Sequence, residues 1–274
     1  MIISKDKVAE TIEFLRTRTD MEPEFGLILG SGLGGVVDML ENPVAVPYAE
    51  IPNFPVSTVK GHPGTLTFGT YAGKTVVTQV GRVHYYEGIG WEKVMYPLWV
   101  MKALGVKCII NTNSAGGINH EFRGGDLMLV TDHINCMGSN PLIGPNDDKV
   151  GPRFPDMSKP YDAGLSQAMR GAAEALGIEL RSGVLIGFSG PSYETKAEIA
   201  MAMKLGADAA GMSSIPEAIV GNYLGMRYVG VTCISNLVSP TRTEPLTHEE
   251  VTEAAHKASK DLTRLIAEFL RRVG

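Results

Sequence analysis

The stretch that decides the fold is residues 91–117, WEKVMYPLWVMKALGVKCIINTNSAGG. Its first half, Trp91–Leu104, is rich in apolar residues and predicts a buried helix. Gly105 follows directly, and glycine is the residue favoured just past the end of a helix. The run Val106–Asn113 then predicts a buried strand that leads into a polar, glycine-rich end. A buried helix followed by a buried strand indicates an α/β protein.

The same alternation of helix and strand continues on both sides of this stretch. The other predicted helices are Lys5–Arg18, Asp162–Leu176, Glu194–Leu205, Pro216–Leu224 and His248–Val273. The other predicted strands are Phe25–Leu29, Thr65–Tyr71, Thr75–Val80, Asp126–Thr131, Gly183–Phe188 and Tyr228–Ile234. We therefore predict an α/β fold of one domain, residues 1–274, with a mixed, largely parallel, twisted sheet between two helical layers. The Pro/Gly-rich stretch 136–160 is long for a loop and is expected to be functional or interfacial.

Composition and charge exclude several classes of protein. The 274 residues carry 25 Lys and Arg against 30 Asp and Glu, and this net charge of −5 argues against nucleic acid or an acidic membrane as partner. No apolar run approaches the roughly 18–20 residues of a membrane helix, and the N-terminus lacks the features of a secretory signal, so we expect a cytoplasmic protein. Cys108, Cys136 and Cys233 have no CxxC spacing, which argues against a disulfide framework and a zinc site.

A glycine-rich turn after the strand Phe25–Leu29 invites a dinucleotide-binding interpretation. Gly30, Gly32 and Gly35 satisfy the pattern G-x-G-x-x-G. However, Val36–Glu41 is too short for the helix that should follow, and Asn42-Pro43 comes next. A nicotinamide-dependent dehydrogenase that uses this turn remains an alternative. More generally, such a turn exposes backbone N–H groups to an anion.

Arg82 and His84 are the first candidates for anion binding, directly after the predicted strand Thr75–Val80. They alternate across Val83, so an extended backbone points both side chains the same way. A guanidinium fork beside an imidazole suits an oxyanion such as phosphate. The alternative is that Arg82 pairs with a surface carboxylate while His84 fills a gap in the core.

Further polar clusters follow other predicted strands. Asn111–Gly117 suggests close approach of the backbone to a ligand, and Asn236 offers the donor and acceptor needed to bind a heteroaromatic edge. Glu194 has two interpretations, a functional carboxylate or an acid favoured at the start of a helix. Lone serines and asparagines at strand ends are usually caps or turn formers. Neither metal-ligand spacing nor a G-x-S-x-G motif occurs.

Taken in chain order, these clusters resemble the trimeric purine nucleoside phosphorylase family. The matching stretches are GLILGSGLGG, VKGHPGTLTFG, GRVHYYEG, NTNSAGGIN, GDLMLVTDHIN, NPLIGPND, RFPDMS, GPSYET, GADAAGMSSIPEAIV, CISN and LTHEEV. They run from residue 26 to about 251, so the resemblance covers nearly the whole chain. It implies a nucleoside-phosphorylase-like αβα fold, a homotrimer, no cofactor, and inorganic phosphate as cosubstrate.

The resemblance also implies an activity and its residues. The activity is reversible phosphorolysis of purine ribonucleosides and deoxyribonucleosides, chiefly inosine and guanosine, in purine salvage. The implied phosphate site is Ser31, His62, Arg82, His84, the Ser114 backbone and Ser213. The implied purine contacts are Tyr193, Glu194 and Asn236, and the implied ribose contacts are Tyr86, Met212, His248 and Phe154 of a neighbouring subunit. The implied catalytic residues are His84, Glu194 and Asn236, with no metal.

The chain departs from the family pattern at three places. Ser114 stands where many members have alanine, and Val83 where an aromatic residue is common. Leu237–Pro245 is the least family-like stretch and is expected to form a mobile lid. The nearest rival is a methylthioadenosine phosphorylase, whose family carries aspartate at the position of Asn236. A purine-binding protein without catalytic activity is a further alternative.

Overall fold

The computed structural model describes residues 3–30, 33–58, 64–239 and 248–273, with only the backbone described for residues 248–257. The helices are α1 (Lys5–Arg16), α2 (Trp91–Ala103), α3 (Ala163–Leu176), α4 (Lys196–Lys204), α5 (Ile215–Tyr223) and α6 (His248–Arg272). The strands are β1 (Phe25–Leu29), β2 (Glu41–Pro47), β3 (Thr65–Tyr71), β4 (Lys74–Val80), β5 (Cys108–Gly117), β6 (Leu127–Asn135), β7 (Leu180–Gly187), β8 (Ala209–Gly211) and β9 (Arg227–Leu237).

The described strands form one sheet in the order β2-β3-β4-β1-β5-β8-β7-β6-β9. Strand β9 also pairs with β5, so β5, β8, β7, β6 and β9 form a closed ring. Around the centre, β4, β1, β5 and β9 are parallel neighbours, whereas β2, β3 and β4 are joined in antiparallel order. The predicted mixed, largely parallel sheet is therefore confirmed, and the ring is an addition that the sequence pattern did not reveal.

Helices cover both faces of the sheet, as predicted. One core joins α1, α2 and α5 to the sheet, with Leu15 and Leu98 among its fully buried residues. The other joins α3 and α6 to the opposite face, with Leu165 and Leu262. Strand β1 is buried along its whole length, as expected of a parallel strand covered on both faces. Among the residues described, no helix combines the length and apolarity needed to cross a bilayer.

The chain after Gly30 removes the structural basis of the dehydrogenase alternative. Within residues 33–58, a short 3₁₀ helix, Gly34–Met39, leads directly into β2. Strand β2 then pairs antiparallel with β3. A dinucleotide site requires a crossover helix and a parallel strand at this point. Strand β2 was missed because Asn42-Pro43 disfavours a strand, and its position at the sheet edge is where proline is tolerated.

The predicted start of helix α4 at Glu194 is wrong by two residues. The helix begins at Lys196, and Thr195 is its cap residue. The Thr195 hydroxyl accepts from the Glu198 N–H at 3.2 Å, and the Glu198 carboxylate accepts from the Thr195 N–H at 2.7 Å. This reciprocal pair satisfies two helix N-terminal donors. Glu198 therefore does what one interpretation assigned to Glu194, and Glu194 lies outside the helix.

Candidate active site

A cavity of about 360 Å³ opens beside the carboxyl ends of β5, β8 and β9. Its volume is that of a site for a small ligand. Nine of the residues predicted for the site line it: Arg82, His84, Tyr86, Ser114, Tyr193, Glu194, Met212, Ser213 and Asn236. Ser31 and His62 lie outside the described residues, as does 240–245 of the predicted lid. His248 begins α6, but its side chain is outside the description.

The ladder between β5 and β9 positions two sides of this cavity. Strand β5 was predicted to end at Asn113 but continues to Gly117, because its backbone keeps pairing with β9. The register shifts between Ala115 and Gly116, so that Gly116 lies opposite Asn236. A Cβ on Gly116 would lie 2.8 Å from the Val238 side chain. Only glycine therefore fits this approach without displacing its neighbour.

Arg82 lines the cavity, and buried protein groups hold its guanidinium in place. Its side chain is 2% exposed, and its Nη1 lies 3.1 Å from the Glu217 carboxylate. The same nitrogen donates to the Ser214 hydroxyl at 3.1 Å. The expected alternative partner, a surface carboxylate, is thus replaced by a buried one. Arg82 nevertheless lines the cavity as well as contacting Glu217.

His84 lies beside Arg82 and is oriented by Glu87. Its Nδ1 is 3.4 Å from the Glu87 carboxylate, which also accepts from the His84 backbone N–H at 2.6 Å. Burial lowers the pKa of His84, and the contact with Glu87 opposes this shift. Burial alone would raise the pKa of Glu87, but hydrogen bonds from His84 and Thr58 lower it to about 2. A charged Glu87 therefore orients a largely neutral imidazole.

Two other polar groups that line the cavity have buried atoms with no hydrogen-bond partner among the described residues. They are Oε1 of Glu194 and Nδ2 of Asn236. Burial raises the pKa of Glu194, since few groups stabilise its charge. The Ser235 hydroxyl donates to Oδ1 of Asn236 at 2.8 Å, which turns the amide nitrogen away from Ser235. An acceptor and a donor are thus presented together to a ligand.

Aromatic and thioether side chains also line the cavity. The ring of Tyr86 stacks on His84 with 4.8 Å between centroids. Met212 and Tyr193 also line the cavity, and Tyr193 is 42% exposed. Phe154 is not part of this cavity and is 87% exposed. The structure therefore brings nine of the predicted residues together and leaves Phe154 on the surface.

Glu87, Ser235 and Glu217 are site residues that the sequence reasoning missed. Glu87 follows His84 by three residues, a spacing that allows a side chain to return to the backbone. Glu217 stands in an otherwise apolar predicted helix, and a lone charge in a buried helix signals a specific partner. Ser235 directly precedes Asn236, and a lone serine at a strand end is usually a cap or turn former.

Comparison with known proteins agrees with this geometry. The model of the phosphorylase superfamily matches residues 24–271. Purine nucleoside phosphorylase 1 of Bacillus subtilis is 50% identical, over 96% of this chain and 97% of that protein. Purine nucleoside phosphorylase 1 of Geobacillus stearothermophilus is 48% identical, over 98% of each chain. The crystal structure of a Schistosoma purine nucleoside phosphorylase with hypoxanthine superposes with a TM-score of 0.95, at 34% identity over 100% of both chains.

The fold, the cavity and the family match therefore define a nucleoside phosphorylase of the α/β class. Within that superfamily, the chain belongs to the purine nucleoside phosphorylase family.

Proposed function

We propose that this chain catalyses the reversible phosphorolysis of purine ribonucleosides and deoxyribonucleosides, chiefly inosine and guanosine. The products are the free base and ribose 1-phosphate or its deoxy form, as purine salvage requires. The observation that carries the proposal is that two different chemistries line one cavity. Arg82 and His84 offer a guanidinium and an imidazole, and Glu194 and Asn236 offer an acceptor and a donor.

We propose that Arg82 and His84 form the anion end of the cavity, which binds inorganic phosphate, the cosubstrate. Arg82 and His84 supply a guanidinium and an imidazole, and Ser114 and Ser213 line the same cavity. Ser31 and His62 complete the proposed set. Holding phosphate against C1′ replaces a bimolecular encounter by a positioned attack. The sugar passes through an oxocarbenium-like state, which the phosphate negative charge stabilises. The C1′–N9 bond breaks as the phosphate oxygen bonds to C1′.

The opposite end is proposed to bind and stabilise the departing purine. Asn236 donates from Nδ2 towards N7 and O6 of a 6-oxopurine, where negative charge develops. Glu194 accepts from the N1–H of the same ring, and Tyr193 stacks on its face. The hypoxanthine that occupies the Schistosoma relative is a base of this kind. Asn236 also argues against a methylthioadenosine phosphorylase, since a 6-aminopurine calls for an acidic side chain at N7. His84, Glu194 and Asn236 are the proposed catalytic residues.

The sugar is proposed to lie between the ends, against Tyr86 and Met212, with His248 nearby. Phe154 of a neighbouring copy is proposed to close this region. Its 87% exposure is unusual for phenylalanine and suits a side chain that is covered only on assembly. We therefore propose a homotrimer, which sedimentation equilibrium tests by giving three times the chain mass.

A cytoplasmic location is also proposed. Cys108, Cys136 and Cys233 are all free thiols, as is usual in a reducing compartment. Fractionation of the source cells, with a cytoplasmic marker enzyme, tests the location.

Inosine cleavage with and without inorganic phosphate tests the activity. The expected result is hypoxanthine release that depends on phosphate and yields ribose 1-phosphate. Release that is independent of phosphate indicates a hydrolase on the same scaffold. Binding of inosine without any cleavage indicates the purine-binding alternative. Adenosine and methylthioadenosine, assayed alongside, distinguish the rival phosphorylase.

A further inference from the structure

Arg82 is proposed to bind phosphate, which is a dianion, but it already contacts a buried carboxylate, that of Glu217. Glu217 and Arg82 form an ion pair at 3.1 Å, with side chains 7% and 2% exposed. Glu217 does not line the cavity. A buried charge pair is costly to desolvate, and an apolar pair often gives equal or greater stability. Stability of the fold alone therefore does not account for a charge at this position.

Three further acceptors hold the guanidinium of Arg82 in place. Nη1 donates to the Ser214 hydroxyl at 3.1 Å, and Nη2 donates to Oδ1 of Asn111 at 3.3 Å. Nη2 also donates to the Thr112 carbonyl. The Ser214 hydroxyl itself donates to Oδ1 of Asn111 at 2.7 Å, which ties two of these acceptors together. Both Nη atoms are therefore fixed from the protein side.

The backbone accommodates this arrangement at Ser214. Its φ is +72°, a conformation that favours glycine, and its side chain makes no capping hydrogen bond to α5. The hydroxyl serves Arg82 and Asn111 instead. Strain at a residue whose side chain faces inward to a functional group is typical of a positioned site.

We propose that Glu217 is a positioning residue for phosphate, which holds Arg82 in place and offsets its charge while the site is empty. This inference rests on the proposed phosphorolysis. An arriving phosphate shares Arg82 with a carboxylate that is already present, so it binds less tightly than it would to an isolated guanidinium. The same sharing favours departure of ribose 1-phosphate after the reaction. Glu217 acts only through Arg82 and touches no reactant.

The variant Glu217→Gln keeps an acceptor of the same shape and removes its charge. Without phosphate, it leaves the Arg82 charge unbalanced, so the Tm falls below that of the wild type. Added phosphate supplies the missing charge, so the difference in Tm narrows. The KM for phosphate falls by at least about tenfold, because the charge of Glu217 acts on the phosphate from beyond Arg82 and not at contact distance. The KM for inosine stays within about twofold.

Two further variants separate positioning from structure. Asp162→Asn removes the charge of an ion pair with Arg227, at 2.9 Å, but keeps a good cap for α3. Its Tm loss is expected to be the same at every phosphate concentration. Ser214→Gly relieves the positive φ and removes the hydroxyl that Arg82 uses. The KM for phosphate then rises by about three- to tenfold, the loss of one hydrogen bond, without loss of Tm.

The measurement is a thermal titration of each variant with inorganic phosphate, with kinetics under the same conditions. A Tm difference for Glu217→Gln that is constant across the titration, with unchanged phosphate KM, overturns the proposal. If Glu217→Gln does not fold even in phosphate, Ser214→Gly decides: an unchanged phosphate KM overturns the proposal, and a raised KM supports it. Wild-type release of hypoxanthine that does not depend on phosphate refutes the proposed phosphorolysis itself.

Discussion

Replacement of Glu194 is expected to weaken catalysis and strengthen the unliganded fold at the same time. Oε1 of Glu194 is buried without a hydrogen-bond partner among the described residues, and burial raises the pKa of its carboxyl. In the empty enzyme, ionisation of this carboxyl therefore opposes folding. In the proposed complex with a 6-oxopurine, the same oxygen accepts from N1–H. Glu194 is thus placed to stabilise the proposed complex, and this placement lowers the stability of the free protein.

The two magnitudes follow from this placement. A hydrogen bond to a charged group contributes about 1.5–3 kcal/mol, so Glu194→Ala lowers kcat/KM for inosine by roughly 10- to 150-fold. In Glu194→Gln the buried charge is removed while the shape is kept. This gives about 1 kcal/mol of added stability at pH 7, or a Tm higher by roughly 2 °C.

The pH dependence provides a second check on Glu194. A carboxyl with a raised folded pKa contributes stability below its unfolded pKa, and this contribution is lost as the pH rises through the folded value. The stability advantage of Glu194→Gln is therefore present at neutral pH and disappears below about pH 4.

The assay is phosphate-dependent hypoxanthine release, with thermal unfolding measured on the same preparations. Glu198→Ala is the matched control, because Glu198 caps helix α4, which begins two residues after Glu194, but does not line the cavity. It is expected to lower the Tm modestly and to leave kcat/KM unchanged. Near-normal kcat/KM for Glu194→Ala, or a Glu194→Gln variant less stable than the wild type at pH 7, would refute the reasoning.

Three other predictions concern the remaining parts of the site. Asn236→Asp replaces the N–H donor that lines the cavity, so kcat/KM for inosine falls by about 10- to 100-fold while kcat/KM for adenosine rises. An unchanged ratio of kcat/KM for inosine to that for adenosine contradicts the proposed role of Asn236. Glu87→Gln lowers stability by about 1–3 kcal/mol at pH 7, a loss that narrows below about pH 4.5 because the folded pKa of Glu87 is depressed to about 2; a pH-independent loss counts against its charged role. Gly30→Ala places a Cβ 2.7 Å from Asn113 Cα and lowers the Tm through about 1–3 kcal/mol of overpacking, whereas Gly34→Ala, with open space around it, leaves the Tm nearly unchanged.

The fold could be predicted wherever apolar period and breaker residues agreed. The helix beginning at Trp91 and the strand Phe25–Leu29 were located to within a residue or two, because a breaker such as Gly105 or Gly30 follows each. The end of β5 was missed because glycines at 116 and 117 have low strand propensity. Pairing with β9 overrides that propensity, and pairing between distant segments is not visible in a local pattern.

The residues that line the candidate site were predicted more fully than the residues that support them. Side chains that line the cavity, such as Arg82 and Asn236, could be recognised from their functional groups. Residues that act behind them, such as Glu217, become recognisable only when the fold places them 3.1 Å from a partner 135 positions away. Sequence separation of that size hides a contact from any local pattern.

The ladder between β5 and β9 has a consequence for which substrates fit. Ser114 and Asn236 belong to adjacent, paired strands, so backbone hydrogen bonds fix the distance between one residue of the proposed phosphate site and one of the proposed purine site. Paired strands lie about 4.8 Å apart, and movement of a surface loop does not change that spacing. We therefore expect the paired strands to limit the length of the substrate. Side chains on loops, such as the loop that carries Tyr193, are expected to limit its width. Selection for new substrates is expected to broaden the range of accepted bases before it allows a longer sugar to bind.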